Sequence, residues 1–304
     1  MNNALKPLKI LLTGAKGFTG LHLNRLAQNW GYEVVPLLAN LNEQVELEKE
    51  VLAAKPDFVV HLAGISFVAS TDQEAFYRVH ALGTSNLLKA ISKLPQKPIK
   101  VLLASSATVY GNSPLSPSTE NQPLSPIDHY AISKVAMEEI AKTYFDLIPI
   151  VIARPFNYTG VGQKGNFLIP KLIDHFSRQS QFIELGNLNI EREFNDVGMI
   201  CEAYLHLLKL GVASEIYNVC TGQARSLKMV LDALTQLTSH PIDIRVNPDF
   251  VRSNEVHRMC GNPAKLLSLL AAHNLELPPS ILTKTLAEML AFAKTSSNQK
   301  ISSL

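Results

Sequence analysis

Short apolar runs that alternate with amphipathic stretches, and a first run that ends in a glycine-rich turn, predict an α/β fold. The class is a Rossmann-type doubly wound parallel sheet, with a smaller and looser α/β region after about Gly162. The first strand is the apolar run Lys9-Ile10-Leu11-Leu12-Thr13. It leads into Gly14-Ala15-Lys16-Gly17-Phe18-Thr19-Gly20 and then an amphipathic helix that stops before Gly31. Further strands are expected over 33–38, 57–63, 99–104 and 149–153, and helices over 17–29, 43–54, 74–93 and 128–146. Between Asn112 and Pro126, the prolines Pro114, Pro117, Pro123 and Pro126 predict a surface loop. Beyond it, the pattern predicts a helix over 167–176, a strand over 182–186 and a helix from an Asp196 N-cap to Leu210. A strand over 215–220 and a helix capped by Ser226 follow, and the tail from Thr295 is expected to fray.

Bulk properties exclude several classes. The 304 residues suffice for one large domain or two closely joined ones. With 46% hydrophobic and 18% charged residues the composition is globular. A formal net charge of +2 does not support nucleic-acid binding by bulk electrostatics. No apolar stretch approaches the roughly 20 residues that cross a bilayer, and no signal peptide precedes the first strand, so a cytoplasmic protein with no membrane partner is expected. Cys201, Cys220 and Cys260 lack metal-ligand spacing and read as buried free thiols. The histidines show no ligand pattern, and no metal is assigned.

Three motifs carry the chemistry. Strand, Gly-x-x-Gly-x-x-Gly turn and helix form the context of a dinucleotide-binding loop, with phosphates at the helix N-terminus. The run Leu102 to Gly111 reads as a strand ending in small hydroxyl residues, where Ser106 can hydrogen-bond a substrate carbonyl. Tyr130 and Lys134 lie four apart on a predicted helix and so share a face. A cation beside a phenol lowers its pKa and makes a proton donor and acceptor for a carbonyl or alcohol.

Together and in this order, the three motifs resemble the extended short-chain dehydrogenase/reductase (NAD-dependent epimerase/dehydratase) family over nearly the whole chain. The resemblance implies a catalytic set of Ser106, Tyr130 and Lys134. It implies a cofactor site built from Gly14, Lys16, Gly17, Phe18, Gly20, Asn40, Leu41, Leu62, Ala63, Gly64, Tyr130 and Lys134. It also implies a dinucleotide-binding domain over 1–163, with 195–218 returning to it, and a substrate domain mainly over 164–304. Family members pair through two helices each, so a homodimer with a four-helix interface through 74–93 and 128–146 is expected.

Several stretches resemble the GDP-4-keto-6-deoxy-D-mannose reductase branch. They are Arg154 to Gln163, Gly186-Asn187-Leu188, Arg192 to Val197, Tyr217 to Gly222 and Arg252 to Val256. This implies that Ser106 and Asn157 contact the sugar nucleotide, Arg192 and Arg252 the diphosphate, and Glu255 the nucleoside ribose. The substrate expected is a nucleotide-diphosphate sugar, GDP-linked, reduced at a C4 ketone. Departures from the branch are Ser253, Glu193, His80 and the lack of a Gly-Trp pair after Leu266. Dehydratases of the family carry acidic residues at the two positions after the serine, whereas this chain has Ala107 and Thr108, leaving reduction or 4-epimerisation. An NAD-dependent 4-epimerase stays open because such enzymes share Ser-Ala-Thr-Val-Tyr-Gly. A non-catalytic dinucleotide sensor leaves the Ser-Tyr-Lys set unexplained. The segment Val34 to Asn40 has no acidic residue for a ribose 2′-hydroxyl, and Lys16 could reach a 2′-phosphate, so NADP(H) is preferred over NAD(H).

Overall fold

The computed structural model describes residues 6–66, 72–251 and 255–301, with side chains as far as Thr295. Arg252, Ser253 and Asn254 lie outside the described residues.

Six parallel strands form the central sheet. These are β1 (Lys9–Thr13), β2 (Glu33–Pro36), β3 (Phe58–His61), β4 (Lys100–Ala104), β5 (Ile150–Pro155) and the strand Ile216–Val219. From one edge to the other they run Ile216–Val219, β5, β4, β3, β1, β2. The order reverses at β1, whose neighbours are β2 and β3, and this is the switch point at which such sheets bind ligands.

Strand residues alternate between two cores. Ile10, Leu12, Leu102, Val151 and Ala153 face helix α1 (Phe18–Asn29) and the helices Val197–Leu210 and Ala264–Ala271. Leu11, Val59, Val101, Leu103, Ile150 and Ile152 face α2 (Gln44–Ala54) and the helices Gly83–Ser92 and His129–Lys142. With both faces covered, the inner strands must be apolar on both sides, and β3 and β5 are buried at every residue. Strand β2 is an edge, half-exposed, and tolerates Pro36 there.

A separate apolar cluster joins the helices Leu168–Ser177, Leu227–Thr238 and Leu282–Ile301 to the parallel pair Phe182–Leu185 and Asp243–Val246. Asp196 and Ser226 cap their helices, accepting from the Gly198 and Met229 amides at 2.7 and 3.2 Å. The last helix, Leu282–Ile301, extends past Thr295. One expectation needs correction. The proline-rich loop is not wholly on the surface. Ser118 is buried and binds the Cys260 carbonyl (2.7 Å) through its amide, while its carbonyl accepts from Asn262 (2.8 Å) and the Asn218 side chain (2.9 Å). Turn composition does not reveal such a long-range anchor. The cysteines are buried and free, as expected.

One buried ion pair fixes how the sheet meets the helix that carries Tyr130. Arg154 on β5 and Glu138 on helix His129–Lys142 are 2% and 0% exposed. Arg154 Nε and Nη2 donate to the two carboxylate oxygens at 2.9 and 2.6 Å, a forked contact. The Ser105 hydroxyl donates to the same carboxylate at 2.5 Å, and Arg154 Nη1 donates to the Tyr110 hydroxyl at 2.9 Å. Tyr110 in turn donates to Asn218 at 2.6 Å, on the neighbouring strand. Removing one partner strands a charge where water cannot reach it. Arg154→Ala should therefore lower stability by about 3–5 kcal/mol. Urea unfolding should show this, and a loss below about 1 kcal/mol would contradict it.

Candidate active site

The site lies at the carboxyl ends of β1, β3 and β4. Gly14 turns the chain with φ of 70°. A Cβ there would also sit 2.8 Å from the backbone of Leu62 and Ala63. Glycine is thus required twice, by conformation and by the close approach of the β3 loop. At Gly20 a Cβ would collide with the Gly14 carbonyl, so the helix packs directly on the turn. Gly17 is the N-cap of α1 and is exposed, and no side chain caps this helix. The backbone N–H groups of the first turn are therefore not taken by a side-chain cap, and the positive end of the dipole faces the same way. These residues fit the pyrophosphate of a dinucleotide.

The other expected cofactor residues are distributed less evenly. Lys16 and Asn40 are exposed, and Asn40 Oδ1 accepts from the Asn42 amide at 3.0 Å. Leu41 is buried, and its carbonyl accepts from Asn86 at 2.9 Å. The Phe18 ring stacks on Tyr158, whose hydroxyl bonds Thr19 at 2.8 Å. Phe18 therefore ties the glycine loop to the segment after β5. The Leu62 and Ala63 amides donate to the Thr13 hydroxyl at 3.1 and 2.9 Å. At Gly64, an added Cβ would lie 3.1 Å from His80 Nε2 and 3.7 Å from Lys134 Nζ. The Lys134 ammonium thus lies under the loop that follows β3.

Two buried histidines hold that loop. Both acceptor sites of the Thr13 hydroxyl are used by amides, so it donates to His61 Nδ1 at 2.7 Å. His61 then carries its proton on Nε2 and donates to Thr84 at 2.9 Å. His80 has the opposite tautomer. Its Nε2 accepts from the Ile65 amide at 3.1 Å, and Nδ1 donates to Ser133 at 2.8 Å. Ser133 donates to the Tyr130 carbonyl at 2.7 Å, so His80 connects the loop to the first turn of the Tyr130 helix. The π-helical turn Tyr77–Leu82 carries His80, a kind of irregularity that recurs at functional sites.

Ser106, Tyr130 and Lys134 are brought together. Ser106 accepts from the Thr108 amide at 3.2 Å and the Thr108 hydroxyl at 2.9 Å. With both acceptor positions filled, its own proton points outward as a donor. Burial raises the Tyr130 pKa, and the Ser106 hydroxyl against the phenol pulls it down by less. The net direction is upward, opposite to the depression expected from Lys134. Lys134 itself is pushed down to about 8 by burial, against the pull of Glu138 one turn on, and donates to the Ala104 carbonyl at 2.9 Å. The phenol is therefore kept protonated at neutral pH, the form a proton donor needs.

On the substrate side the expected residues meet only in part. Arg192 and Glu255 form an ion pair at 3.1 Å, and Asn187 donates to the same carboxylate at 3.1 Å. The terminal nitrogens of Arg192 also bond the carbonyls of Glu191, Val256 and His257. Arg192 is thereby fastened to the strand Arg258–Met259, which pairs with Glu191–Arg192. Asn157 is exposed, and its carbonyl accepts from the Asn195 amide at 2.9 Å. The Arg252 expectation falls outside the described residues. Reading the sequence missed the part played by Glu193. It is fully buried, and its carboxylate accepts from the amides of Thr221 (2.7 Å), Gly222 (3.2 Å) and Gly261 (2.7 Å). It fastens the loop after strand Ile216–Val219 to the 260–261 segment, a role that no local pattern announces.

Residues 10–220 match the NAD dependent epimerase/dehydratase family. The chain belongs to that family. A GDP-6-deoxy-D-talose 4-dehydrogenase from Aggregatibacter actinomycetemcomitans is 35% identical over 268 residues, covering 86% of this chain and 91% of that protein. The GDP-6-deoxy-D-mannose reductase of Pseudomonas aeruginosa is 32% identical over 273 residues, covering 85% and 89%. The structure of RMD from Pseudomonas aeruginosa complexed with NADPH superposes with a TM-score of 0.86 at 28% identity, covering 95% of this chain and 99% of that one. The chain is thus an enzyme of the extended short-chain dehydrogenase/reductase type. Among the described residues, no helix is long and apolar enough to cross a membrane.

Burial holds the pKa of His61 down to about 3 and of His80 down to about 2, with Lys134 adding to both. An unfolded histidine titrates near 6.5. The folded protein therefore binds fewer protons below that pH, so this stability is complete above about 6.5 and is lost as pH falls towards 3. Each group contributes a slope of up to about 1.4 kcal/mol per pH unit. Unfolding measured from pH 7 to 4 should show a shallower acid slope for His80→Asn than for the parent. Equal slopes would contradict the assignment.

Proposed function

We propose that this enzyme reduces the C4 ketone of a nucleotide-linked 4-keto-6-deoxyhexose. The substrate is GDP-4-keto-6-deoxy-D-mannose, and the product is GDP-D-rhamnose or its C4 epimer. One observation carries the choice of redox chemistry at C4 over dehydration: an assembled Ser106, Tyr130 and Lys134 set in which the two positions after Ser106 offer no acid or base. Ala107 is buried, and the Thr108 hydroxyl is committed to Ser106. The dehydratase proton shuttle has no residue to run on there. Two relatives named for GDP-6-deoxysugars support the GDP-linked substrate.

When bound, the reduced nicotinamide supplies the hydride that adds to C4. Ser106 donates to the ketone oxygen, and that bond strengthens as negative charge develops there. Tyr130 transfers its phenolic proton to the same oxygen, completing the alcohol. Lys134, its pKa pushed down to about 8 and so still mainly an ammonium at neutral pH, stabilises the phenolate left behind. Arg192, Arg252 and Glu255 are proposed to receive the diphosphate and ribose, and Asn157 the sugar. The reductant is a reduced nicotinamide dinucleotide held at the glycine loop, on which Lys16 is exposed.

Tyr130→Phe removes only the transferable proton. Turnover of GDP-4-keto-6-deoxy-D-mannose should fall about a hundredfold or more, with dinucleotide affinity nearly unchanged. Near-parental turnover would refute the role.

The same proposal includes a homodimer. Leu82 and Ile132 are 56% and 41% exposed on the two helical segments expected to pair. Light scattering at micromolar concentration should give twice the 33.4 kDa chain mass, and a lone chain would refute it.

A further inference from the structure

The sequence offers no acidic residue at the end of β2, but the fold delivers one from another element. After Pro36, the Leu37 amide still donates to the Leu12 carbonyl of β1, at 2.9 Å. The next two amides leave the sheet and turn to a side chain. Leu38 N donates to Glu50 Oε1 at 2.7 Å, and Ala39 N donates to Glu50 Oε2 at 2.6 Å. Glu50 lies in the second turn of α2, the helix that follows the strand it caps. Its carboxylate therefore sits at the carboxyl end of the edge strand, next to β1 and its glycine turn.

That place has a meaning in a doubly wound sheet. The adenosine ribose of a dinucleotide lies at the end of the strand beside the glycine turn, where an acidic group accepts from its 2′-hydroxyl. Two consecutive backbone amides there would otherwise form a receptor for a 2′-phosphate. In this chain both are occupied. Each carboxylate oxygen has a second acceptor position, so a 2′-hydroxyl can still donate to it. A 2′-phosphate, by contrast, would meet a like charge and no available amide. No arginine occurs between residues 31 and 66 to offset that charge. Lys16 is the cation on the glycine loop, and it is exposed.

We infer that Glu50, seated on the Leu38 and Ala39 amides, makes the adenosine end of the site select NAD(H) over NADP(H). This rests on the reading of Gly14 to Gly20 as the dinucleotide loop and reverses the preference expected from the sequence. Glu50 acts as a specificity determinant supplied by α2 in place of an acidic residue on the strand.

The test is a fluorescence titration of the whole protein with NADH and with NADPH, without sugar nucleotide. The parent should bind NADH at least about tenfold more tightly, the discrimination that about 1.4 kcal/mol produces. Glu50→Gln keeps the shape and removes the charge, and Glu50→Ala frees both amides. Both variants should bring the two affinities to within about threefold, mainly by strengthening NADPH. Equal or tighter NADPH binding by the parent would overturn the inference alone, as would an unchanged ratio in both variants. Binding of neither dinucleotide by the parent would overturn the loop reading and the inference with it.

Discussion

The forked contact between Arg154 and Glu138 is the constraint on which the rest of the site depends. Two charges removed from water are costly unless geometry and further hydrogen bonds compensate. Here the compensation comes from groups that also build the site. Ser105 precedes Ser106 and bonds Glu138, so the end of β4 is fixed against the helix that carries Tyr130. Glu138 lies one turn beyond Lys134 and supports its charge against burial. Tyr110 and Asn218 extend the same network to the strand Ile216–Val219, so the sheet and the Tyr130 helix are fastened as one unit.

Around that anchor the site is mostly neutral, and its polarity is set by direction. Thr108 uses both acceptor positions of Ser106 and leaves it a donor. Thr13 and Ser133 set opposite tautomers in His61 and His80, which flank the Leu62 to Ile65 loop. Lys134 is the cation in their midst and helps keep both rings uncharged. Such a site can stabilise a developing alkoxide without moving its own groups, because the donors are already aimed.

The layers of the fold were legible because strand and helix periods are strong signals in short buried runs. Every expected strand and helix of the first half exists within a few residues. The glycine turn was legible from its spacing between strand and helix, and the Ser106, Tyr130 and Lys134 set from the order of the three motifs and the family resemblance they carry, whereas Glu138, four residues beyond Lys134, was not singled out. What escaped depends on tertiary placement. The amphipathic pattern over Tyr77–Leu82 does not distinguish a π turn from an α turn. Nothing local shows that the helix Ala264–Ala271 returns to the first core, or that Ser118 is held by the 260–262 segment. The pKa direction of Tyr130 was misjudged because burial outweighs the neighbouring groups. Glu50 was invisible at the end of β2 because it comes from the following helix.

In the proposed reaction the site transfers hydride once, to C4 of the sugar, with Tyr130 supplying the proton. Deuteride transfer tests this most directly. The enzyme would be given GDP-4-keto-6-deoxy-D-mannose with each reduced dinucleotide carrying deuterium at nicotinamide C4, and the sugar followed by NMR. The account predicts one deuterium at sugar C4 for every dinucleotide oxidised, in a single configuration. Ketone left unreduced, with no oxidation of the added dinucleotide, would contradict it, and inversion at C4 of the corresponding GDP-6-deoxyhexose alcohol, supplied separately, would mark an epimerase.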